Sequence, residues 1–229
     1  MPRLQGLIFD LDGTLVDSAP DLRQALNAML EGHGRRTVGL DETKRMVGDG
    51  MIPLVTRAFE ATGGVPENFD SYTAAKIFID HYRGLPADPV QIYPGAREAL
   101  EGFCRSGIPL GICTNKQESA TLRLLQELDL VRCFVFVAGG DTFPVHKPNP
   151  GHVTGVMEKL PASAEGCVMI GDSPNDVLAA HGAGIPCIAV THGYGMEMEK
   201  IGADRLIDGF GELESALSEL GFEIYGHFR

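Results

Sequence analysis

Tryptophan is absent, and no unbroken apolar run approaches the roughly 18–20 residues a helix needs to cross a bilayer. A membrane partner is therefore not expected. The opening Met1-Pro-Arg-Leu-Gln5 has neither the long apolar core nor the small-residue cleavage site of a secretory leader. The expectation is a soluble, cytoplasmic protein. Cysteine is sparse: Cys104, Cys113, Cys133, Cys167 and Cys187 contain no C-x-x-C pair, which argues against a disulfide framework and a structural zinc site. Most lie in apolar surroundings, as in Gly111-Ile-Cys113, and read as reduced core thiols. Positive charge is short as well, with 19 Lys+Arg against 31 Asp+Glu and a net charge of −12. Nonspecific nucleic-acid binding needs basic surface, so no nucleic-acid partner is expected. An anionic substrate would require local positive charge from lysine, a metal ion or helix N-termini.

What is present is apolar material for a sizeable core: 44% of 229 residues, enough for one large domain or one and a half. Gly6–Phe9 reads as a short buried strand. Leu22, Leu26 and Leu30, with Ala25 and Met29 beside them, predict an amphipathic helix over 20–30, with Asp17 and Ser18 as capping candidates. Further helices are expected around 41–47, 50–62 and 69–83. From Pro89 onward the pattern alternates. Strands at 108–113, 133–138, 166–171, 185–190 and 205–207 are separated by helices at 95–106, 117–128, 150–159 and 174–183, with a last helix at 211–220. Short, nearly all-apolar strands in such units predict an α/β fold, a Rossmann-like parallel sheet covered by helices on both faces. The expected organisation is an α/β core from residues 1–14 and 89–229, interrupted by a helical cap at 15–88.

Ligands of an open parallel sheet bind beyond the carboxyl ends of its strands. Four such ends are polar. They read Asp10-Leu-Asp12-Gly-Thr14, Thr114-Asn115-Lys116, Gly139-Gly-Asp-Thr142 running to His146-Lys147-Pro-Asn-Pro150, and Asp172-Ser-Pro-Asn-Asp176. Individually, several have plain structural readings. Asn149-Pro150 suits a helix start, Ser173 with Asp176 matches a capping box, and Thr114-Asn115 could cap the helix from 117. Asp10 and Asp12 resist that treatment, because carboxylates near a buried strand terminus repel each other unless a cation offsets them.

Asp10-Leu-Asp-Gly-Thr14, Thr114-Asn115, Lys147-Pro148 and Gly171-Asp-Ser-Pro-Asn-Asp176 resemble the four ordered motifs of the haloacid dehalogenase superfamily. Tyr93-Pro-Gly95, Cys113-Thr-Asn-Lys116, Gly139-Gly-Asp-Thr142 and Val47-Gly-Asp-Gly50 are similar to its phosphoglycolate phosphatase members. The resemblance implies hydrolysis of a small phosphate monoester, 2-phosphoglycolate first, through an aspartyl-phosphate. Asp10 would be the nucleophile. Asp12 would be the general acid and base. A Mg²⁺ cofactor would be held by Asp10, Asp172 and the backbone carbonyl of Asp12. Thr114, Asn115 and Lys147 would bind phosphate, with Thr114 and Lys147 aiding catalysis. Asp176 would stand near the metal or pair with Lys147, unless capping is its main role.

Within the insert, Val47-Gly-Asp-Gly-Met51 is the candidate substrate-facing turn. Asp49 is its candidate substrate contact, Lys44 and Arg45 nearby are possible partners for a substrate carboxylate, and the insert is expected to act as a lid. Gly48-Asp-Gly50 could equally be a plain connection between helices. The histidines, including His152 and His192, are scattered and not expected to be ligands. Alternatives on the same scaffold are a sugar-phosphate mutase or another small-metabolite phosphatase, pyrophosphatase included. A phospho-accepting signalling module is the alternative from a different class. Oligomeric state, monomer or homodimer, is left open.

Overall fold

In the computed structural model, which describes residues 2–85, 91–195 and 197–224, the chain divides into two compact units. One comprises Met1–Val16 and Ile92–Arg229, the other Asp17–Gln91. The domain junction expected at 88–89 lies outside the described residues.

The first unit opens with β1 (Gly6–Phe9), every residue of which is buried. A two-residue strand, β2 (Val16–Asp17), leads into the second unit. That unit contains α1 (Ala19–Gly32), α2 (Leu40–Lys44), α3 (Met51–Ala61) and α4 (Ser71–Gly84). Asp17 Oδ1 accepts the Ala19 N–H at the start of α1, whereas Ser18 makes no side-chain capping bond. Helix α3 begins at Met51 because Gly50, at φ 90°, takes a backbone conformation that ends any regular approach from upstream. Leu22, Leu26 and Met29 of α1 pack with Leu54 and Phe59 of α3 and Phe78 of α4, giving this unit its own apolar core.

The return path, β3 (Gln91–Ile92), pairs with β2 in a small two-stranded sheet. Then come α5 (Ala96–Arg105), β4 (Leu110–Cys113), α6 (Glu118–Glu127), β5 (Phe134–Ala138), α7 (Pro150–Met157), β6 (Cys167–Gly171) and α8 (Pro174–Gly182). β7 (Cys187–Val190), β8 (Arg205–Ile207) and α9 (Leu213–Glu219) close the unit. Among the described residues these strands form a six-stranded sheet in the order β5-β4-β1-β6-β7-β8, parallel throughout. This is the expected α/β architecture.

Side-chain alternation explains the two buried faces. Ile8 and Met169 pack with Val153 and Val156 of α7 and Val177 and Ala180 of α8. Leu7 and Phe9 point the other way and are equally enclosed. β1 therefore lies in mid-sheet, flanked by β4 and β6. Phe9 is level with Ile112 on one side and Ile170 on the other. The residues just past those strands, Asp10, Thr114 and Asp172, emerge side by side at one edge. No helix among the described residues is long and apolar enough to cross a membrane.

Candidate active site

Asp10 leaves β1 with its N–H still donating to Ile170 O at 2.9 Å, so the sheet fixes the backbone beneath the carboxylate. It is buried, as are Asp172 and Asp176, and one oxygen from each of the three lies within 4.8 Å of the others. Lys147, itself 2% exposed, places Nζ 2.9 Å from Asp10 Oδ1 and 2.5 Å from Asp176 Oδ1. Asp10 and Asp176 thus share one enclosed ammonium, with the Asp172 carboxylate close by. Burial first, then the Asp176 charge, outweighs Lys147 and pushes the Asp10 carboxyl up to about 6. Asp172 is pushed well above the ordinary carboxylate range by burial, then by Asp10 and Asp176. Burial opposes the charge on Lys147, but Asp10 and Asp176 together hold its ammonium above the usual lysine range. An excess of negative charge in an all-oxygen cluster suits a hard divalent cation, and Asp10, Asp172 and Asp176 are the side chains that could hold one.

Asp176 does not choose between the roles its sequence position suggested. Its Oδ2 accepts the Ser173 N–H and hydroxyl at the start of α8 and the Asp172 N–H, while Oδ1 meets Lys147. Asn115 does not cap α6. Its Oδ1 accepts the Lys147 N–H at 3.0 Å and its Nδ2 donates to the Lys147 carbonyl at 2.9 Å, locking the lysine backbone to the end of β4. Thr114 is buried beside it, its Oγ1 accepting the Lys116 N–H.

Asp12 stands apart from the three-carboxylate cluster. Lys116 Nζ lies 3.1 and 3.2 Å from its two carboxylate oxygens. Lys116 belongs to a motif visible in the sequence, yet its partnership with Asp12 was not expected, since no local pattern joins positions so far apart.

A fifth strand end also enters the site. After β7, Thr191-His-Gly-Tyr-Gly195 wraps Asp172. The Tyr194 N–H donates to Asp172 Oδ2 at 2.6 Å, and a Cβ on Gly193 would fall 2.3 Å from the Asp172 Cβ. From the other side the Thr14 hydroxyl donates to Asp172 Oδ1 at 3.2 Å. Gly13, at φ 88°, brings its backbone so close that a Cβ would lie 2.4 Å from Asp172 Oδ2. His192 donates from Nε2 to the Thr14 carbonyl at 3.2 Å and packs on Tyr93, so it braces the opening loop. The signal for this loop was available: glycines around a tyrosine directly behind an apolar strand.

In the helical unit, Asp49 is ion-paired with Arg57, whose Nη1 also donates to the Met46 carbonyl. Arg45 is the C-terminal cap residue of α2, its N–H donating to Asp41 O. These contacts give the Gly48–Gly50 turn a structural function inside its own unit. Cys113 and Cys167, pushed up by burial to about 12 and about 11, remain protonated core thiols.

A haloacid dehalogenase-like hydrolase family profile matches residues 7–190. A phosphoglycolate phosphatase of Agrobacterium fabrum is 39% identical over 213 residues, covering 93% of this chain and 91% of the relative. One from Rhodospirillum rubrum is 39% identical over 218 residues, covering 93% and 90%. Among solved structures, a predicted phosphoglycolate phosphatase from Haemophilus somnus superposes with a TM-score of 0.87 at 26% identity, covering 94% of this chain and 98% of the other. CbbY from Rhodobacter sphaeroides, crystallised with phosphate, gives 0.81 at 26% identity over 94% and 99%. With the ordered motifs gathered at one sheet edge and a match across most of its length, the chain belongs to the haloacid dehalogenase-like hydrolase family.

Proposed function

We propose that this hydrolase acts on 2-phosphoglycolate, that Asp10 attacks phosphorus to form an aspartyl-phosphate, and that Mg²⁺ is the required cation. Kinship with phosphoglycolate phosphatases over 93% of its length makes the chain a phosphoric monoester hydrolase. The observation that carries the finer reading is the enclosure of Asp10 with Lys147 between two further carboxylates, at the end of a central strand.

Asp10 Oδ forms a bond to phosphorus as the ester P–O bond breaks, and Asp12 delivers a proton to the departing alkoxide. Asp12 then takes a proton from water, whose oxygen attacks the acyl phosphate and returns Asp10 as a carboxylate. Phosphoryl transfer depends mainly on positioning and charge stabilisation, which suits Lys147 and the Thr114 hydroxyl as groups that face the phosphoryl oxygens. Asn115 holds the Lys147 backbone in place for that purpose. Mg²⁺, held by Asp10 and Asp172 with Asp176 alongside, would offset the repulsion between nucleophile and phosphate.

A panel of phosphate monoesters, assayed with and without Mg²⁺, tests the assignment. The expected result is Mg²⁺-dependent phosphate release with kcat/KM for 2-phosphoglycolate at least tenfold above that for sugar phosphates and pyrophosphate. Asp12→Asn is expected to lose steady turnover by about 10²–10⁴-fold. With p-nitrophenyl phosphate it should still give a burst of nitrophenol as the phospho-enzyme accumulates. Wild-type activity in Asp10→Asn would overturn the mechanism.

A further inference from the structure

Lys147 cannot serve the non-reacting end of a substrate. It is enclosed between Asp10 and Asp176, at the phosphorus end of the site. A further cation at this sheet edge is Lys116, whose side chain is 9% exposed and whose Nζ spans both oxygens of Asp12. From this geometry we infer that Lys116 receives the carboxylate of the substrate and sets the preference for esters with an anionic tail. The inference rests on the phosphatase reading above and deepens it.

The argument begins with the leaving group. A proton passing between Asp12 and the ester oxygen requires those two atoms to meet at hydrogen-bond distance. In 2-phosphoglycolate a single methylene separates that oxygen from the carboxylate carbon. Lys116 Nζ lies 3.1 Å from Asp12 Oδ1, so a carboxylate that close to the ester oxygen falls within reach of the same ammonium. Nζ has three protons to donate and can turn from Asp12 to the incoming anion or serve both. An ester with a neutral tail leaves the Lys116–Asp12 pair as it stands and gains nothing from it.

The backbone beneath Lys116 is held for such a task. Its carbonyl accepts the Gly140 N–H at 2.8 Å, and its N–H donates to Thr114 Oγ1 at 3.3 Å. A Cβ on Gly139 would lie 2.1 Å from Glu118 N, and one on Gly140 would lie 2.6 Å from the Asn115 carbonyl oxygen. Asp141 Oδ1 accepts the Glu118 N–H at 2.8 Å, and the Thr142 hydroxyl donates to the Glu118 carboxylate. The Gly139-Gly-Asp-Thr142 stretch thus clamps the loop that carries Lys116. A cation fixed in advance loses little freedom when an anion arrives, and that raises its contribution to binding.

The test compares 2-phosphoglycolate with 2-hydroxyethyl phosphate, which replaces the carboxylate by a neutral alcohol. In Lys116→Met, kcat falls for both esters because Asp12 loses its partner, but KM rises only for 2-phosphoglycolate, by about ten- to one-hundred-fold. Lys116→Arg restores most of the KM. Binding without turnover gives a second readout: by calorimetry, 2-phosphoglycolate binds Asp10→Asn more tightly than the double variant Asp10→Asn/Lys116→Met by the same factor. An equal change for both esters, or an unchanged KM for 2-phosphoglycolate, overturns the inference and leaves Lys116 as a support for Asp12 alone. A wild-type enzyme that fails to hydrolyse 2-phosphoglycolate overturns the phosphatase assignment itself, and this inference with it.

Discussion

Asn115 and Lys147 bond reciprocally, side chain to backbone: one amide group accepts the lysine N–H at 3.0 Å and donates to its carbonyl at 2.9 Å. The end of β4 thereby fixes the residue that neutralises Asp10. Asn115→Ala leaves both Lys147 backbone groups without this partner. We expect a loss of about 2 kcal/mol in stability, since an unmet buried polar group costs about 1–3 kcal/mol. kcat should fall more than tenfold as Lys147 loosens. Urea unfolding and steady-state kinetics check the two parts separately.

The three-carboxylate cluster predicts opposite effects of one substitution with and without metal. Burial and the neighbouring charges already disfavour ionisation of Asp172. Asp172→Asn removes a buried charge while an amide oxygen can still accept from Tyr194 or Thr14. In EDTA the variant should unfold at or above the wild-type temperature. Added Mg²⁺ should raise the wild-type Tm by linkage and leave that of the variant unchanged. Thermal scans in EDTA and in excess Mg²⁺ decide it. A Mg²⁺ shift in the variant equal to the wild-type shift would remove Asp172 from the metal site.

His152 supplies a pH dependence of its own. It is fully enclosed on α7, and burial, helped by the Lys147 cation, pushes its imidazole from the ordinary 6.5 down to about 4. Between those values the unfolded chain binds the extra proton and the folded chain does not. The neutral ring's contribution is therefore complete above pH 6.5 and is lost as pH falls towards 4. The full effect is about 3 kcal/mol. His152→Leu should flatten that part of the acid limb, seen as a wild-type-minus-variant difference in unfolding free energy that changes between pH 7 and pH 4.5.

Much of the sheet was legible because its strands are short apolar runs with abrupt polar ends. β1 and β8 have their expected bounds, 6–9 and 205–207. The strand expected from 108 starts instead at Leu110, because the Ile108 N–H turns back to the Phe103 carbonyl and finishes α5. The pair β2–β3 was not expected, since two residues per strand carry no readable periodicity. Asp10, Thr114, Lys147, Asp172 and Asp176 were each visible behind a strand, and the fold brings them to one edge. Asn115 was singled out for phosphate, but its amide is engaged with the backbone of Lys147. The His192–Gly195 loop went unread for lack of a charged residue, although its glycines mark the close approach to Asp172.

By itself the sequence determined which segments become the strands of the six-stranded sheet and where each one stops, because burial of apolar side chains and the two-residue alternation act over a few neighbouring positions. It also determined that carboxylates, a hydroxyl and lysines would sit at those stops. Only the tertiary structure decided who meets whom: Lys116 with Asp12, Asn115 with Lys147, Tyr194 with Asp172. Ionic attraction and hydrogen bonding depend on distance in space. For residues this far apart along the chain, that distance is set by the strand order β5-β4-β1-β6-β7-β8.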